Sequence, residues 1–278
     1  MIIVKLGGSG GIDPAFTLDD IAEIGKTEEL VFIHGANSKL DEMTRALGKE
    51  PRLVQSKSGQ ISRFTDSETM DLMLAVYTGM VNKRLVEGLH QRSVNAVGLS
   101  AMDGKIASGP RKDTIRAIED GKSKILRGDY AGSIKKVDPT LISLLTSNGY
   151  MPVLTPPAIS DEGEAINVDG DKLALQLAIE LQADALIILS NTAGLLKDVD
   201  DPDSLITEID VSSEESVESA MNSAAGRMKK KVQAGCDAVE AGIGKVVFAS
   251  ANVEKPVTSA LNGTGTVLRA SAGIGATN

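Results

Sequence analysis

The chain has 278 residues, a formal net charge of −9, and 42% hydrophobic and 24% charged residues, proportions that are ordinary for a folded protein. The acidic total argues against a non-specific nucleic-acid binder, and the single cysteine, Cys236, excludes an internal disulfide framework and a thiolate zinc site. No apolar run reaches the roughly 18 residues of a membrane span, and the N-terminus lacks the regions of a signal peptide. We therefore expect a cytoplasmic protein that binds neither nucleic acid nor a membrane.

Short apolar runs alternate with amphipathic stretches along most of the chain. The apolar runs are predicted to be buried strands at Met1–Leu6, Leu30–Ile33, Ala96–Leu99, Pro152–Leu154, Ala185–Leu189 and Lys245–Ala249. The amphipathic stretches are predicted to be helices at Asn37–Leu47, Ser67–Gln91, Pro139–Ser147, Asp171–Leu181 and Gly226–Ala241. This alternation predicts an α/β fold with a mainly parallel central sheet and helices on both faces.

Two segments interrupt the alternation. Leu53–Phe64 and Thr114–Leu126 carry β-type residues around the turn signals Ser58-Gly59 and Asp120-Gly121, and we predict β-hairpins that border a substrate. The prolines after Thr155 predict a boundary that divides the chain into residues 1–157 and 158–278. The C-terminal stretch Ser271–Asn278, rich in Gly and Ala, is predicted to fray.

The helix predicted at Ser67–Gln91 is unusually long for a globular protein. Thr65-Asp66-Ser67-Glu68 matches a capping box at its start. Its apolar residues cover more than one face of the helix, so we expect a second protein surface to cover part of it. We therefore predict a homodimer.

A glycine-rich loop, Gly7-Gly8-Ser9-Gly10-Gly11, follows Lys5 at the end of the first predicted strand. The N–H groups of such a loop can approach an anion closely, and the lysine adds positive charge. The Walker pattern is absent, and the dinucleotide pattern fails because its third glycine position holds Asp13. A tight surface turn with a solvated lysine is the alternative.

A second turn, His34-Gly35-Ala36-Asn37, follows the next strand. Its simplest interpretation is a strand-to-helix turn with Asn37 as the N-cap. His34 has the character of a catalytic base, but a carboxylate nucleophile is already ionised at neutral pH and requires none. A structural role for His34 is therefore favoured.

Two polar clusters have the character of a substrate site. Arg63, within Ser62–Asp66, could bind a carboxylate in bidentate fashion, although a surface arginine is equally compatible with the sequence. Asn167–Asp171 opens a helix, and either aspartate in it could be a plain N-cap. The functional alternative is that Asp171 orients lysines.

Two further stretches have the character of a nucleotide site. Ser190–Leu196 follows a very apolar strand, a natural position for a nucleotide. Gly226–Val232 carries four basic residues at a helix N-terminus, where cations oppose the helix dipole unless an anion is bound. A solvated basic face is the alternative to a phosphate site.

The order of these motifs resembles the amino acid kinase family, and specifically its acetylglutamate kinase branch, over nearly the whole chain. The resemblance implies that Lys5 and Lys231 stabilise the transferring phosphoryl group and the leaving oxygens of ATP, and that Asp171 holds both lysines. It also implies N–H donors at Gly7, Gly8 and Gly35, substrate contacts at Gly35, Ala36, Arg63 and Asn167, and nucleotide contacts at Gly7, Gly8, Ser190, Asn191 and Gly194. Mg²⁺ would be carried mainly by the ATP phosphates, without a dedicated metal-ligand cluster. Residues 1–157 would bind the acidic substrate and dimerise, and residues 158–278 would bind the nucleotide.

Within that branch, the motifs Ser62–Asp66, Pro110–Leu126, Gly128–Gly132 and Asn167–Asp171 are similar to those of kinases whose substrate is attached to a small acidic amino-group carrier protein of the LysW type. The resemblance implies phosphorylation of the side-chain carboxylate of carrier-bound 2-aminoadipate or glutamate in lysine or arginine biosynthesis. A basic cluster would dock the carrier: Arg111, Lys112, Arg116, Lys122, Lys124 and Arg127. Scattered charges that serve solubility are the alternative for this cluster.

Three other functions stay open at this point. An N-acetylglutamate kinase would use a free small molecule, and a non-catalytic regulator would bind the nucleotide without turnover. A nicotinamide dehydrogenase is disfavoured by the failed glycine pattern.

The sequence departs from the family pattern in two places. Ala36 and Asn37 replace two usual glycines, and a positive φ at Ala36 would cost about 1 kcal/mol. Asn191 stands where the family commonly has Asp, which affects the nucleotide contacts.

Overall fold

The computed structural model describes residues 1–55, 59, 61–119, 122–224 and 226–271. In chain order the strands are β1 (Ile2–Leu6), β2 (Leu30–His34), β3 (Leu53–Gln55), β4 (Ile61–Arg63), β5 (Ala96–Ser100), β6 (Ala107–Gly109), β7 (Thr114–Glu119), β8 (Lys122–Arg127), β9 (Lys136–Val137), β10 (Met151–Thr155), β11 (Ala158–Ser160), β12 (Ala165–Ile166), β13 (Ala185–Ser190), β14 (Leu195–Leu196), β15 (Leu205–Ile206), β16 (Glu208–Asp210), β17 (Lys245–Ser250) and β18 (Thr266–Arg269). The α-helices are α1 (Pro14–Ile24), α2 (Asn37–Ala46), α3 (Ser67–Met73), α4 (Asn82–His90), α5 (Thr140–Thr146), α6 (Gly170–Glu180), α7 (Glu214–Ser223), α8 (Gly226–Glu240) and α9 (Pro256–Leu261). All the strands and helices predicted from the sequence are present, so the predicted α/β class is confirmed.

The six predicted strands lie in one eight-stranded sheet, in the order β16-β18-β17-β13-β1-β2-β10-β5. Every neighbouring pair is parallel except β17 and β18, which are antiparallel. In this sheet β2 lies on one side of β1 and β13 lies on the other, so the direction in which strands are added reverses at β1. In parallel sheets, ligands bind at the carboxyl ends of the strands at such a reversal point.

The sheet is covered on both faces, as alternation along β1 indicates. Ile3 packs in one core with α6 and α8, whereas Ile2, Val4 and Leu6 pack in a second core with α1, α4 and α9. Since successive side chains of a strand point to opposite faces, Lys5 emerges on the same face as Ile3. This face carries α6 and α8, the helices that contain Asp171 and Lys231.

The long predicted helix is continuous from α3 to α4, but its middle, Leu74–Val81, is π-helical. Sequence periodicity did not predict this segment, because a π-helical stretch of eight residues within a longer helix leaves no separate hydrophobic signature. The predicted capping box is wrong by one position: Asp66 is the N-cap, and its carboxylate accepts a hydrogen bond from the N–H of Thr69.

Both predicted hairpins are present, and they join in a single four-stranded sheet of order β4-β3-β7-β8. The turn residues Ser58, Asp120 and Gly121 lie outside the described residues, as does the predicted frayed tail after Ser271. A second small sheet has the order β12-β11-β6-β9, and β14 and β15 form a pair. The predicted boundary after Pro157 falls between β10 and β11, after the cis bond Pro156–Pro157, and the two-lobe division stays a prediction. In the part of the chain that is described, no helix is long and apolar enough to cross a membrane.

Candidate active site

Two lysines from distant parts of the chain meet at one aspartate. The Nζ atom of Lys5, in the central strand β1, lies 2.5 Å from Oδ1 of Asp171, and the Nζ atom of Lys231, in α8, lies 3.1 Å from Oδ2 of the same carboxylate. All three side chains are largely buried, at 9%, 18% and 24% exposure for Lys5, Asp171 and Lys231. The arrangement concentrates two positive charges at the carboxyl end of β1.

The ionisation of Asp171 follows from these contacts. Burial alone would raise the pKa of its carboxyl group, but the charges of Lys5 and then Lys231, with their hydrogen bonds, lower the pKa to about 2. The carboxylate is therefore ionised at every physiological pH. Asp171 is not the helix N-cap, since Asp169 fills that position and accepts from the N–H groups of Asp171 and Lys172. In this motif Asp169 is therefore the N-cap, and Asp171 is the aspartate that contacts both lysines.

The glycine loop and the second turn cross in direct backbone contact. A Cβ atom at Gly8 would lie 2.5 Å from the carbonyl carbon of Gly35 and closer still to the nitrogen of Ala36. The N–H of Ser38 donates to the carbonyl of Gly8 at 2.8 Å, which ties the start of α2 to the loop. Gly8 is therefore required by packing, because no side chain fits between the two turns.

The predicted set of N–H donors needs a correction. The N–H of Gly7 already donates to the carbonyl of Leu189 at 2.9 Å, and the N–H of Gly35 donates to the carbonyl of Leu6 at 3.0 Å. Both bonds extend the parallel ladders beyond the strand ends, so these two donors are occupied. Gly8 is the predicted donor whose N–H has no partner among the described residues.

The second turn keeps Ala36 out of the left-handed region. Ala36 has φ −148° and ψ 28°, so the cost expected for a left-handed alanine does not arise. Asn37 is the first residue of α2 and not its N-cap, because Ala36 occupies that position without a side-chain bond. The Oδ1 atom of Asn37 instead accepts a hydrogen bond from the hydroxyl of Tyr77 at 2.8 Å.

His34 has the contacts of a structural residue. Its side chain is buried, with Nδ1 3.3 Å from the carbonyl of Gly35 and Nε2 3.1 Å from the amide nitrogen of Asn82. That amide group donates, so Nε2 accepts and the proton is on Nδ1. Burial, opposed by the Gly35 hydrogen bond and aided by the charge of Lys5, lowers the pKa of His34 to about 4.

The predicted substrate residues Arg63 and Asn167 are both held by neighbours. Arg63 is 9% exposed and forms an ion pair with Asp41 of α2, which neutralises part of its charge. The amide nitrogen of Asn167 donates to the hydroxyl of Thr65 at 2.9 Å. The backbone N–H of Thr65 in turn donates to the carboxylate of the fully buried Asp129 at 3.0 Å.

The nucleotide residues predicted from the sequence lie at the carboxyl end of β13. Ser190 ends this strand, and its hydroxyl lies 3.0 Å from that of Thr192. Gly194 has φ +152°, and a Cβ atom there would lie 2.5 Å from the hydroxyl oxygen of Thr266, so only glycine fits. Asn191 is exposed. These residues share an edge of the sheet with Lys5, because β13 and β1 are parallel neighbours.

The six residues of the predicted carrier patch have different surroundings. Arg111 is 15% exposed, lies 2.9 Å from Glu164 and stacks on the ring of Tyr130, so its charge is partly neutralised within the protein. Lys112, Arg116, Lys124 and Arg127 are exposed on or beside the hairpin sheet. Lys124 has a further partner of its own. The side chain of Lys122 lies outside the described residues.

Sequence reasoning missed several residues that support the site. Asp41 holds Arg63 and Thr65 holds Asn167, and both are predicted site residues. Tyr77 holds Asn37, and Asp129 holds Thr65. No local pattern marks such residues. A buried aspartate within the motif Gly128–Gly132 was the one available signal, since ionisable side chains are rarely fully buried without a specific partner.

The geometry agrees with an independent comparison of the sequence. The model of the amino acid kinase family matches residues 1–250, which include Lys5, Asp171 and Lys231. The chain belongs to the amino acid kinase family.

Relatives within this family are similar over almost their whole length. A LysW-aminoadipate kinase of Deinococcus radiodurans is 50% identical over 96% of this chain and 91% of its own. A LysW-aminoadipate kinase of Thermus thermophilus is 46% identical over 97% of this chain and 100% of its own. Among solved structures, an N-acetylglutamate synthase from Neisseria gonorrhoeae has a TM-score of 0.77 at 24% identity. The match covers 98% of this chain and 59% of the synthase chain, so it shows a shared fold and no more.

Proposed function

We propose that this member of the amino acid kinase family transfers the γ-phosphoryl group of ATP to the side-chain carboxylate of 2-aminoadipate or glutamate, carried on a small acidic amino-group carrier protein. The observation that carries the proposal is the convergence of Lys5 and Lys231 on Asp171. The names of the two relatives, which state LysW and aminoadipate, support the carrier-bound acceptor and aminoadipate in particular. The product is an acyl phosphate, an intermediate of lysine or arginine biosynthesis.

The chemistry of this transfer demands positive charge more than acid–base groups. A carboxylate and a polyphosphate are both anions, so catalysis consists mainly of positioning and charge neutralisation. Lys5 and Lys231 provide two ammonium groups, and the N–H of Gly8 provides a donor beside them. His34 is buried and fully engaged, which agrees with a reaction that needs no general base.

ATP fits the edge of the sheet between β1 and β13. Ser190, Asn191 and Gly194 would contact the nucleotide, and Asp171 would hold the two lysines beside its phosphates. Mg²⁺ would be held mainly by the ATP phosphates. The described residues contain no cluster of three or more acidic, His or Cys side chains that could hold a metal ion. The metal would neutralise phosphate charge when bound.

The acceptor would lie on the side of β2 and the hairpin sheet. Arg63 keeps donors besides the nitrogen paired with Asp41, and these can bind a substrate carboxylate. Asn167 has its amide nitrogen fixed by Thr65, which leaves its carbonyl oxygen to receive a donor from the substrate backbone. We propose that residues 1–157 form the lobe that binds the acceptor and residues 158–278 the lobe that binds the nucleotide. Asn167 and Asp171 would reach the shared site from the second lobe.

The carrier would dock on the exposed basic side chains of the hairpin sheet. Lys112, Arg116 and Arg127 carry this proposal, with Lys124 beside them, because Arg111 is partly neutralised by Glu164. Charge complementarity raises the association rate and falls with added salt. The double variant R116E/R127E should raise KM for a carrier-bound substrate and leave KM for ATP unchanged; an equal effect on a free acceptor would contradict docking.

We also propose a homodimer that covers the long helix and the edge of the main sheet. Among the strands that the structure describes, β5 is the last of that sheet and pairs only with β10, and Met80 of the π-helical segment is 39% exposed. An uncovered strand edge and an apolar helix face favour association with a second copy. Sedimentation velocity of the full chain would give the mass, and a monomer at micromolar concentration would contradict the proposal.

The decisive experiment compares acceptors. The full chain is incubated with MgATP and carrier-bound aminoadipate, carrier-bound glutamate or free N-acetylglutamate, and the acyl phosphate is trapped by hydroxylamine. We expect the wild-type chain to give hydroxamate with a carrier-bound acceptor. We expect the variant Lys5→Met to fold like the wild type but to lose about 100-fold or more in kcat. Lys26→Met, which changes an exposed lysine, is the matched control.

Each other result selects a different function. A higher kcat/KM with free N-acetylglutamate would make the chain an acetylglutamate kinase. ATP binding without hydroxamate from any acceptor would favour a non-catalytic regulator. Wild-type-like turnover of Lys5→Met would remove Lys5 from the mechanism.

A further inference from the structure

The second turn is built differently from one made of glycines. The methyl group of Ala36 is buried, and it packs in a small core with Leu40 of α2 and with residues of α3 and the π-helical segment. Two of these are Met73 and Tyr77. A glycine would leave this contact unmade, so the turn is attached to the long helix by apolar packing.

A hydrogen bond from Tyr77 to Asn37 completes the attachment. Tyr77 is 3% exposed, and its hydroxyl donates to Oδ1 of Asn37 at 2.8 Å. Burial, opposed by the backbone N–H of Ala36, raises the pKa of Tyr77 to about 12, so the phenol keeps the proton that it donates. Asn37 makes no capping bond, and its side chain is committed to Tyr77.

The same turn contacts the glycine loop on its other side. The N–H of Ser38, the residue after Asn37, donates to the carbonyl of Gly8, and the backbones of Gly8 and Gly35 are in direct contact. A displacement of the first turn of α2 therefore moves Gly8 and the loop that follows Lys5. The chain of contacts runs from the long helix through Asn37 to the phosphate side of the site.

We infer that the hydrogen bond between Tyr77 and Asn37 positions the Gly35–Asn37 turn against the Gly8 loop, and that Tyr77 is a positioning residue for phosphoryl transfer to the acceptor. The inference rests on the proposed function for its kinetic consequence. It explains why the turn tolerates Ala36 and Asn37: the long helix supplies an apolar contact and a donor that together fix the backbone. Tyr77 lies in the π-helical segment, and such segments are common at functional sites.

The test is a double-mutant cycle on the full chain with Tyr77→Phe, Asn37→Gly and the double variant. Each single variant should lower kcat/KM for the acceptor by about 10-fold, the typical effect of one buried hydrogen bond. The double variant should be no worse than the poorer single variant, because both changes remove the same bond. KM for ATP should change less than the acceptor constant, because Ser190, Asn191 and Gly194 would supply the other nucleotide contacts at the end of β13; a general loss of structure would change both constants alike.

Tyr150→Phe is the matched control, since it removes a phenol hydroxyl from a side chain that is 39% exposed. It should leave all constants unchanged. Multiplicative effects in the double variant, or acceptor constants of Tyr77→Phe within twofold of wild type, would overturn the inference. If Tyr77→Phe does not fold, Asn37→Gly alone decides, because it breaks the bond from the exposed side of α2.

Amide hydrogen exchange separates this inference from the proposed function. In Tyr77→Phe, peptides that cover residues 34–40 and 7–11 should exchange faster than in wild type, whether or not any acceptor turns over. If Tyr77→Phe exchanges faster but the wild type turns over no acceptor, the positioning contact is supported and the kinase function is rejected. Unchanged exchange in both peptides would reject the positioning contact itself.

Discussion

Replacing Asp171 with Asn tests the electrostatic core of the site. The substitution keeps the size of the side chain and removes the negative charge that Lys5 and Lys231 share. The pKa of Asp171 falls from 3.8 to about 2 on folding, which corresponds to roughly 2 kcal/mol of stability from its ionisation. That contribution is present above pH 3.8 and is lost as the pH falls through about 2.

The variant also leaves two ammonium groups facing each other. Removing one partner of a buried ion pair costs about 3–5 kcal/mol, so we expect a loss of unfolding free energy in that range at pH 7. Urea unfolding measures it. We expect kcat to fall by about 100-fold or more, because the lysines are no longer held in place.

Unlike stability and kcat, the stabilisation that a bound nucleotide gives should not decrease in Asp171→Asn. A polyphosphate supplies the negative charge that the variant lacks, so a non-hydrolysable ATP analogue should raise the melting temperature of Asp171→Asn at least as much as that of wild type. Asp169→Asn is the matched control, since it makes the same change of charge at a capping residue and Asn is also a good cap. A variant with a wild-type urea midpoint and wild-type kcat would refute the reasoning, as would the loss of all stabilisation by the analogue.

Two further predictions follow from the backbone and from His34. Gly8→Ala should lower both stability and kcat severely, because its Cβ would overlap the backbone of Gly35. Gly10→Ala is the control and should retain most activity, because its Cβ would lie 3.3 Å from the hydroxyl of Ser38. Equal melting temperatures for the two variants would contradict the close contact between the turns. The pKa of His34 is lowered from 6.5 to about 4, so its contribution to stability is complete above pH 6.5 and is lost as the pH falls toward 4. Between pH 7.5 and pH 5 this loss is about 2 kcal/mol by urea unfolding, and in His34→Gln the dependence should flatten by that amount; an unchanged slope would mean that another group titrates.

The main sheet was predictable because its strands are short apolar runs between amphipathic helices. The strands that periodicity missed, such as β11 and β14, are two or three residues long, too short to show alternation. Helix α1 was not predicted, although Asp13 caps it and Pro14 begins it. Strand β18 lies antiparallel to β17, a pairing that a βα alternation does not predict.

Lys5, Lys231 and Asp171 were assigned to one site by resemblance to a family, and the structure brings them together. Physical reasoning from the sequence could not have predicted their convergence, since Lys5 and Lys231 lie at opposite ends of the chain. The donor roles of Gly7 and Gly35 were wrong because the sequence does not reveal that the sheet ladders continue past the strand ends. The positive φ considered for Ala36 does not occur for a similar reason: its φ depends on how α2 packs.

The position of β1 between β2 and β13 has a consequence for synthesis. Strand β1 pairs on one side with residues 30–34 and on the other with residues 185–189, so its second edge cannot close until two thirds of the polypeptide has left the ribosome. Until then a strand that is apolar except for Lys5 has an open edge, the kind of surface that pairs with other chains. Growing chains that stall before β13 should therefore depend on chaperones, and those that stall before α8 would hold Lys5 and Asp171 without Lys231.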